Sequence, residues 1–251
     1  APMLAARLAG VPTVLHEQNA IAGMSNRILG RLARRICLSL PGTEGFDASR
    51  TVLTGNPVRA AVVALAGRQH DFSGKRLLVM GGSLGAHALN VHVCRHLDAL
   101  RAAGIEVRHQ TGVRDEAVTR EAYAAAGYDP ACVSAFIDDM ASAYAWADLV
   151  LCRAGATTVA ELCAAGLPSV LVPFPYAVHD HQTRNAQALV AEGAALMLPE
   201  ARMESDGLMA QVTDLLQDTG RLRTMAAAAS GCARVRAAEL VAAELETVCA
   251  R

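Results

Sequence analysis

No uninterrupted apolar stretch in this chain approaches the roughly 18 to 20 residues that a membrane-spanning helix needs. The sequence is therefore read as soluble, or at most peripheral to a bilayer. No C-x-x-C pair occurs among the seven cysteines, which argues against a zinc ribbon or disulfide frame and for free thiols in a reducing compartment. No G-x-G-x-x-G follows a strand-like run, so a nicotinamide fingerprint is missing. A cationic excess is missing too: the net charge of -1 speaks against general nucleic-acid binding, which relies on many phosphate-neutralising side chains. No charged segment followed by an apolar core marks a signal peptide. The helix-like opening PMLAARLAG runs at once into the strand-like VPTVLHE. The alternation is thus entered partway, and the expectation is a chain lacking its N-terminal portion.

What is present is a globular composition, 53% hydrophobic and 19% charged, with enough alanine to favour helices. Short apolar runs alternate with helical patterns. Strands are expected at 13–16, 36–40, 51–54, 76–80, 106–110, 132–135, 149–152, 169–172 and 195–198. Helices are expected at 22–35, 86–100, 114–125, 139–146, 157–165 and 182–192, then 203–217, 220–229 and 231–249. Parallel strands with crossover helices give an α/β fold built from doubly wound, Rossmann-like sheets. The tract GNPVRAAVVALAGRQHDFSGK interrupts the alternation at Asn56-Pro57 before a fresh series begins at Arg76. The expected division is 1–60, the remainder of a first and only partly present domain; 61–73, a linker; 74–230, a ligand-binding domain; and 231–251, a helix that could return to the first.

The most informative stretch is 148–185. A strand ending at Cys152 meets a glycine turn at Gly155, and a threonine pair then opens an amphipathic helix bearing Glu161. A second strand ends at Pro173, and a Pro/His/Asp loop leads to the polar helix start at Gln182 to Asn185. Open α/β sheets bind ligands at this carboxyl edge. Thr158-x-x-Glu161 fits a capping box. Alternatively, Glu161 accepts hydrogen bonds from a ribose diol, a reading favoured by the glycine turn before it and the Gln182/Asn185 cluster after it. Gly81-Gly82-Ser83-Leu84-Gly85 between a strand and a helix is either an anion site for a diphosphate or a plain tight turn. Arg59 is either a neutraliser of that diphosphate or a surface cation.

Other clusters carry less. Asp138-Asp139 could be a metal pair, but their place before a helix favours an N-cap. His179 and His181 flank Asp180, and His92 and His96 lie at i, i+4; neither pair has a third metal ligand at a recognised spacing, so no metal is assigned. Arg27, Arg31, Arg34 and Arg35, on one expected helix with Ile28, Leu29 and Leu32, form a face for anionic headgroups or a solvated basic surface.

Several blocks occur in one order over nearly the whole chain: His16-Glu17-Gln18-Asn19 with Ala22-Gly23, Gly55-Asn56-Pro57-Val58-Arg59, Gly81-Gly82-Ser83, Phe136-Ile137-Asp138-Asp139-Met140, Ala147-Asp148, Arg153-Ala154-Gly155-Ala156, Glu161, Ala165-Gly166-Leu167-Pro168, and Asp180-His181-Gln182 with Asn185-Ala186. Together they resemble the MurG family of peptidoglycan glycosyltransferases. The resemblance implies a two-domain, B-type glycosyltransferase fold whose second domain holds UDP-N-acetylglucosamine. It implies that the Ile137 backbone meets uracil, Glu161 the ribose hydroxyls, and Ser83 with Arg59 the diphosphate. Ala156, Thr157, Thr158, Val159 and Ala160 would line the diphosphate and nucleoside pocket. Gln182 would meet the sugar hydroxyls, and Asn19 would reach the sugar from the first domain. The implied reaction is inverting transfer, without metal or cofactor, to the 4-hydroxyl of the undecaprenyl-linked muramyl-pentapeptide, lipid I.

The family's favoured base is a histidine in an N-terminal glycine-rich loop that this sequence does not contain. His16 is not promoted in its place, the catalytic base stays unassigned, and the chain alone is expected to be inactive. Leu84 stands where the family usually has glutamine. The implied setting is the cytoplasmic face of a bacterial inner membrane, peripherally attached to an anionic surface, near other cell-wall synthesis proteins. Two rival readings remain: a UDP-N-acetylglucosamine 2-epimerase, and a non-catalytic UDP-sugar-binding module.

Overall fold

The computed structural model describes residues 2–82 and 85–250. Two parallel sheets organise the chain. The first has order β1-β2-β3, from β1 (Val14–Glu17), β2 (Arg35–Leu38) and β3 (Thr51–Leu53). Short helices α1 (Pro2–Leu8) and α2 (Met24–Gly30) accompany it. After α3 (Ala60–Val63) the second sheet begins.

The second sheet has order β6-β5-β4-β7-β8-β9. Its strands are β4 (Arg76–Met80), β5 (Glu106–Gln110), β6 (Val133–Ser134), β7 (Leu149–Cys152), β8 (Ser169–Leu171) and β9 (Ala195–Met197). The crossovers are α4 (His87–Cys94), α5 (Leu97–Ala102), α6 (Glu116–Ala125), α7 (Met140–Trp146), α8 (Ala156–Ala165) and α9 (His181–Ala191). The chain closes with α10 (Leu208–Gln217), α11 (Thr219–Cys232) and α12 (Ala237–Cys249).

The central strands lack polar alternation because helices cover both their faces. Leu77, Val79, Leu149 and Leu151 join Leu89, Val93 and Leu215 in one core layer. Leu78, Met80, Val150 and Cys152 join Val159, Leu162 and Leu189 in the other. Full burial of each such side chain stabilises the fold by about 1.5–3 kcal/mol. The strand order reverses direction between β4 and β7, which opens a crevice at their carboxyl ends. Met80 and Cys152 are paired in register at that edge.

The chain's last helix returns to the first sheet. α12 packs on β1 and β2, and Arg35 Nε donates to Glu244 at 2.9 Å. Gly55 permits this approach: its φ is 85°, and an added Cβ would lie 2.3 Å from the Cβ of Arg234.

All the expected strands form, with ends shifted by one or two residues, but four helices differ from the sequence reading, the last of them, expected at 231–249, beginning only at Ala237. The expected 22–35 helix stops at Gly30, because Arg35 already pairs with Val14 as β2. The four arginines therefore do not share a helix face: Arg27 lies in α2, Arg31 caps it, Arg34 is in the connection, and Arg35 is in a strand. The expected 86–100 helix breaks at His96, whose Nδ1 bonds the His92 carbonyl at 2.8 Å and competes with the helical ladder. The expected 203–217 helix starts only at Leu208, after Gly207 at φ 61°.

Between β5 and its covering helices lies a sealed polar network. His109 is fully buried, with Nδ1 3.0 Å from the Tyr123 hydroxyl and Nε2 3.0 Å from Asn90 Oδ1. Asn90 Nδ2 donates in turn to Asp115 at 2.8 Å. Burial pushes the His109 imidazole down to about 3. The unfolded chain thus takes up a proton near pH 6.5 that the native state refuses, so this group's stabilising contribution is complete above that pH and falls as pH drops towards 3. Between pH 6.5 and 5, stability from urea unfolding is expected to decline by up to about 1.4 kcal/mol per pH unit more in the parent than in His109→Gln. Parallel slopes would refute the assignment.

Candidate functional site

The crevice between β4 and β7 is a cleft of about 210 Å³. Met80, Gly82 and Gln110 line one side, Cys152 and Arg153 another, and Phe136, Ile137, Met140 and Tyr144 a third; Arg59, Thr158 and Glu161 complete it. Four residues singled out from the sequence, Arg59, Ile137, Thr158 and Glu161, are thus brought together. Ser83, also singled out, and Leu84 lie outside the described residues.

Glu161 is the chemical centre of the cleft. It is only 5% exposed, yet it sits on a helix whose neighbouring side chains are apolar. Its Oε1 accepts from Arg59 Nε at 3.2 Å and from the same guanidinium's NH2 at 2.9 Å. Its Oε2 accepts from the Tyr144 hydroxyl at 2.9 Å. Burial and the adjacent Glu161 carboxylate hold the Tyr144 phenol well above its ordinary range, so it remains a donor. The capping-box reading is overturned. α8 starts at Ala156 with Gly155 as its cap, no side chain caps it, and Thr158 already lies inside the helix. The first-turn N–H groups of α8 therefore meet no capping side chain, and with the helix dipole behind them they present a positive end suited to an anion.

Helical periodicity splits the expected pocket wall. Thr158 and Glu161, three residues apart, face the cleft. Ala156, Val159 and Ala160 instead line a second cavity of about 350 Å³, which Gln18, Ser39 and Asn56 share from the first sheet's side. Thr157 is exposed. A contiguous sequence block cannot present one face when it is helical, which is why the five do not act as one wall.

The glycine turn after β4 is braced by a residue whose role was not legible in sequence. Gln110 Oε1 accepts from Gly82 N at 3.1 Å while its Nε2 donates to the Gly82 carbonyl at 3.0 Å and the Ala135 carbonyl at 2.9 Å. Gly81 must be glycine, because a Cβ there would meet Ala86 N at 2.5 Å. Tyr144 and Arg153 were likewise given no role from sequence. A tyrosine in an otherwise small, apolar helix face was the one available signal. Arg153 bonds the carbonyls of Val172 and Pro173, and pairs with Glu200.

Gln182 and Asn19 stand on the other flank. Gln182 Oε1 accepts from Phe174 N at 2.9 Å and Ala154 N at 3.2 Å, tying together the ends of β7 and β8. Asn19 Oδ1 accepts from Asn185 Nδ2 at 3.1 Å, while Asn185 Oδ1 accepts from Ala20 N at 2.9 Å. Asn185 is wholly buried and bridges the two sheets' loops. The Asn19 loop is built on Glu17, 2% exposed, whose carboxylate receives Asn19 N, Asn19 Nδ2, Gly23 N and Asn26 Nδ2.

The remaining candidates sort as follows. Asp139 caps α7 through Ser142 N at 3.0 Å, and its hydrogen bonds to Ser142 hold its carboxyl below the usual range. His16 Nε2 bonds the Gly55 carbonyl at 3.0 Å. Burial pushes the Cys152 thiol up to about 12, which leaves it an unreactive part of the cleft floor. Among the described residues, no helix is long and apolar enough to cross a membrane.

Residues 76–241 match the glycosyltransferase family 28 C-terminal domain, and residues 1–38 match the family's N-terminal domain. A UDP-N-acetylglucosamine--N-acetylmuramyl-(pentapeptide) pyrophosphoryl-undecaprenol N-acetylglucosamine transferase of Nitratidesulfovibrio vulgaris strain Hildenborough is 53% identical, over 96% of this chain and 67% of its own length. The crystal structure of Acinetobacter baumannii MurG superposes with a TM-score of 0.79 at 38% identity, covering 98% of this chain and 70% of that one. A UDP-GlcNAc 2-epimerase from Neisseria meningitidis, 12% identical with a TM-score of 0.69 over 98% of this chain and 72% of its own, shares the fold alone.

The buried Asn185 bridge has a measurable worth. Asn185→Ala removes the acceptor for Ala20 N and the donor to Asn19 Oδ1 and to the buried Ala154 carbonyl, leaving buried and part-buried polar groups unpaired. Urea unfolding is expected to show a loss of about 2–4 kcal/mol, against less than about 0.5 kcal/mol for Arg184→Ala on the same helix.

Proposed function

The chain belongs to glycosyltransferase family 28, and from that membership we propose that it transfers N-acetylglucosamine from UDP-N-acetylglucosamine to pyrophosphoryl-undecaprenol-linked N-acetylmuramyl-pentapeptide, the reaction its bacterial relative is named for. The observation that carries the donor half is the meeting of Glu161, Tyr144 and Arg59 in a cleft at the sheet's switch point. Residues 74–230 hold the donor, and residues 1–60 supply Asn19 from the facing side.

The donor fits by the chemistry of each wall. The ribose diol bonds Glu161 Oε1, while Tyr144 keeps Oε2 and fixes the carboxylate. The uracil lies along the Ile137 backbone, next to the exposed ring of Phe136. The diphosphate rests between the Gly81-Gly82 turn and the uncapped start of α8. Arg59 leaves Glu161 to meet its charge. The acceptor's 4-hydroxyl oxygen then attacks the anomeric carbon from the face opposite UDP. The sugar–phosphate bond breaks, UDP departs with the bonding pair, and the configuration inverts. Helix dipole and guanidinium stabilise the departing diphosphate. The hydroxyl proton passes to a general base that stays unassigned, and His16, whose Nε2 bonds the Gly55 carbonyl, is given no part in that step.

The lipid-linked acceptor calls for a peripheral position on an anionic membrane, at the cytoplasmic face where UDP-sugars are available. Exposed Leu4 and Leu8 on α1, and Met24 and Ile28 on α2, each pair one turn apart, support that placement alongside Arg7, Arg27 and Arg31. Other cell-wall synthesis proteins are the fitting neighbours there.

Calorimetric titration with UDP tests the donor site. A hydrogen bond to a charged group is worth about 1.5–3 kcal/mol, so Glu161→Ala is expected to weaken UDP binding about tenfold or more, and to have little effect on a dideoxyribose analogue. Unchanged UDP affinity would remove Glu161 from the ribose. In a transfer assay with a radiolabelled donor and a lipid I analogue, labelled disaccharide-lipid is the expected product. Donor epimerisation without acceptor, or binding without turnover in the protein as the cell makes it, would select the epimerase or the binding module instead.

A further inference from the structure

Outside the cleft, three side chains converge where the sequence offered only two. His92 lies in the last turn of α4 and His96 four residues on, at the break before α5, and Glu204 comes to them from the turn before α10. Their ligand atoms all lie within 4.8 Å of one another. His92 is 5% exposed, and its Nε2 has no hydrogen-bond partner. Its Nδ1 approaches Glu204 Oε2 at 3.4 Å, longer than a charge-assisted hydrogen bond. A buried imidazole is thereby left under-satisfied. That is a costly arrangement for a side chain with no other task. The rings of His92 and His96 stand 4.7 Å apart, and His96 Nδ1 is fixed on the His92 carbonyl, which orients the second ring.

We propose that His92, His96 and Glu204 form a binding site for a borderline divalent transition metal, with Zn²⁺ the best fit. Two imidazoles and one carboxylate suit zinc, cobalt or nickel, whereas magnesium and calcium demand mostly oxygen donors. Metal–ligand bonds of about 2.0–2.2 Å require the ligand atoms to close by about 1 Å, using tetrahedral geometry. Glu204, with its side chain 73% exposed, is free to make that movement.

None of the three residues lines the nucleotide cleft, so the metal braces the structure and takes no part in the transfer chemistry. It pins the α4–α5 break to the segment carrying Glu200, which grips Arg153 at the cleft's edge. The proposal is independent of the donor reading.

Titration of the whole chain with Co²⁺ tests it, because d–d absorption without a thiolate charge-transfer band distinguishes this site from the free cysteines. Saturable uptake of one ion at micromolar concentration is expected. His96→Ala and Glu204→Gln should each weaken it at least tenfold while the metal-free fold stays intact by circular dichroism. Zn²⁺ should raise the thermal midpoint of the parent but not of either variant. Absence of saturable binding, a thiolate band alone, or undiminished affinity in Glu204→Gln would overturn the proposal. Glu204 is exposed enough that its substitution cannot fail through misfolding.

Discussion

A carboxylate buried in an apolar helix must be matched by donors from elsewhere, and Glu161 imposes that condition on everything around it. The desolvation cost of an unpaired buried carboxylate is several kcal/mol. Tyr144 on α7 and Arg59 just before α3 meet it, and α3, α7 and α8 pack on one another accordingly. Leu162 and Val159 bury the rest of α8 against the sheet, which fixes where Glu161 points. The cleft's position then follows from topology: the strand order reverses beside β4 and β7, and the α8 start and the glycine turn both open at that reversal.

The two sheets are joined by polar clasps and a small apolar contact from α12, whereas each is held internally by apolar layers. Asn185 reaches the Asn19 loop, Arg35 reaches Glu244, and α12 lies across β1 and β2 with Ala237 and Val248 buried. A net hydrogen bond contributes about 0.5–1.5 kcal/mol, and an ion pair as exposed as Arg35–Glu244 contributes less than about 1 kcal/mol. The joint is therefore weaker than either core. Glu17 shows how its geometry is nevertheless kept: four donors on one buried carboxylate hold the Asn19 loop in shape before any contact across the cleft is made.

The strands were legible because burial on both faces writes itself as uninterrupted apolar runs, as in Leu149 to Cys152. The helices were less so. Nothing local announces that Arg35 belongs to a strand, since its fate is decided by pairing with Val14. The break at His96 depends on a side chain choosing a backbone carbonyl over solvent. In the site, Glu161 and Arg59 stood out as charges in odd places. Tyr144 and Gln110 did not, because a tyrosine in a helix and a glutamine ending a strand acquire meaning only from what packs beside them. Glu204 is the same case, 108 positions beyond His96 and brought near by the fold.

Arg59 and Glu161 are paired with each other, although the donor reading gives them different partners. The magnitudes reconcile the two. Arg59's side chain is 56% exposed and can swing away, whereas Glu161's is 7% exposed and needs donors from the diol in its place. A diphosphate offers the guanidinium two charges and bidentate oxygens. Tyr144, by contrast, is buried and keeps its hold on Oε2. Releasing Arg59 thus leaves the carboxylate oriented, with Oε1 vacated for a diol.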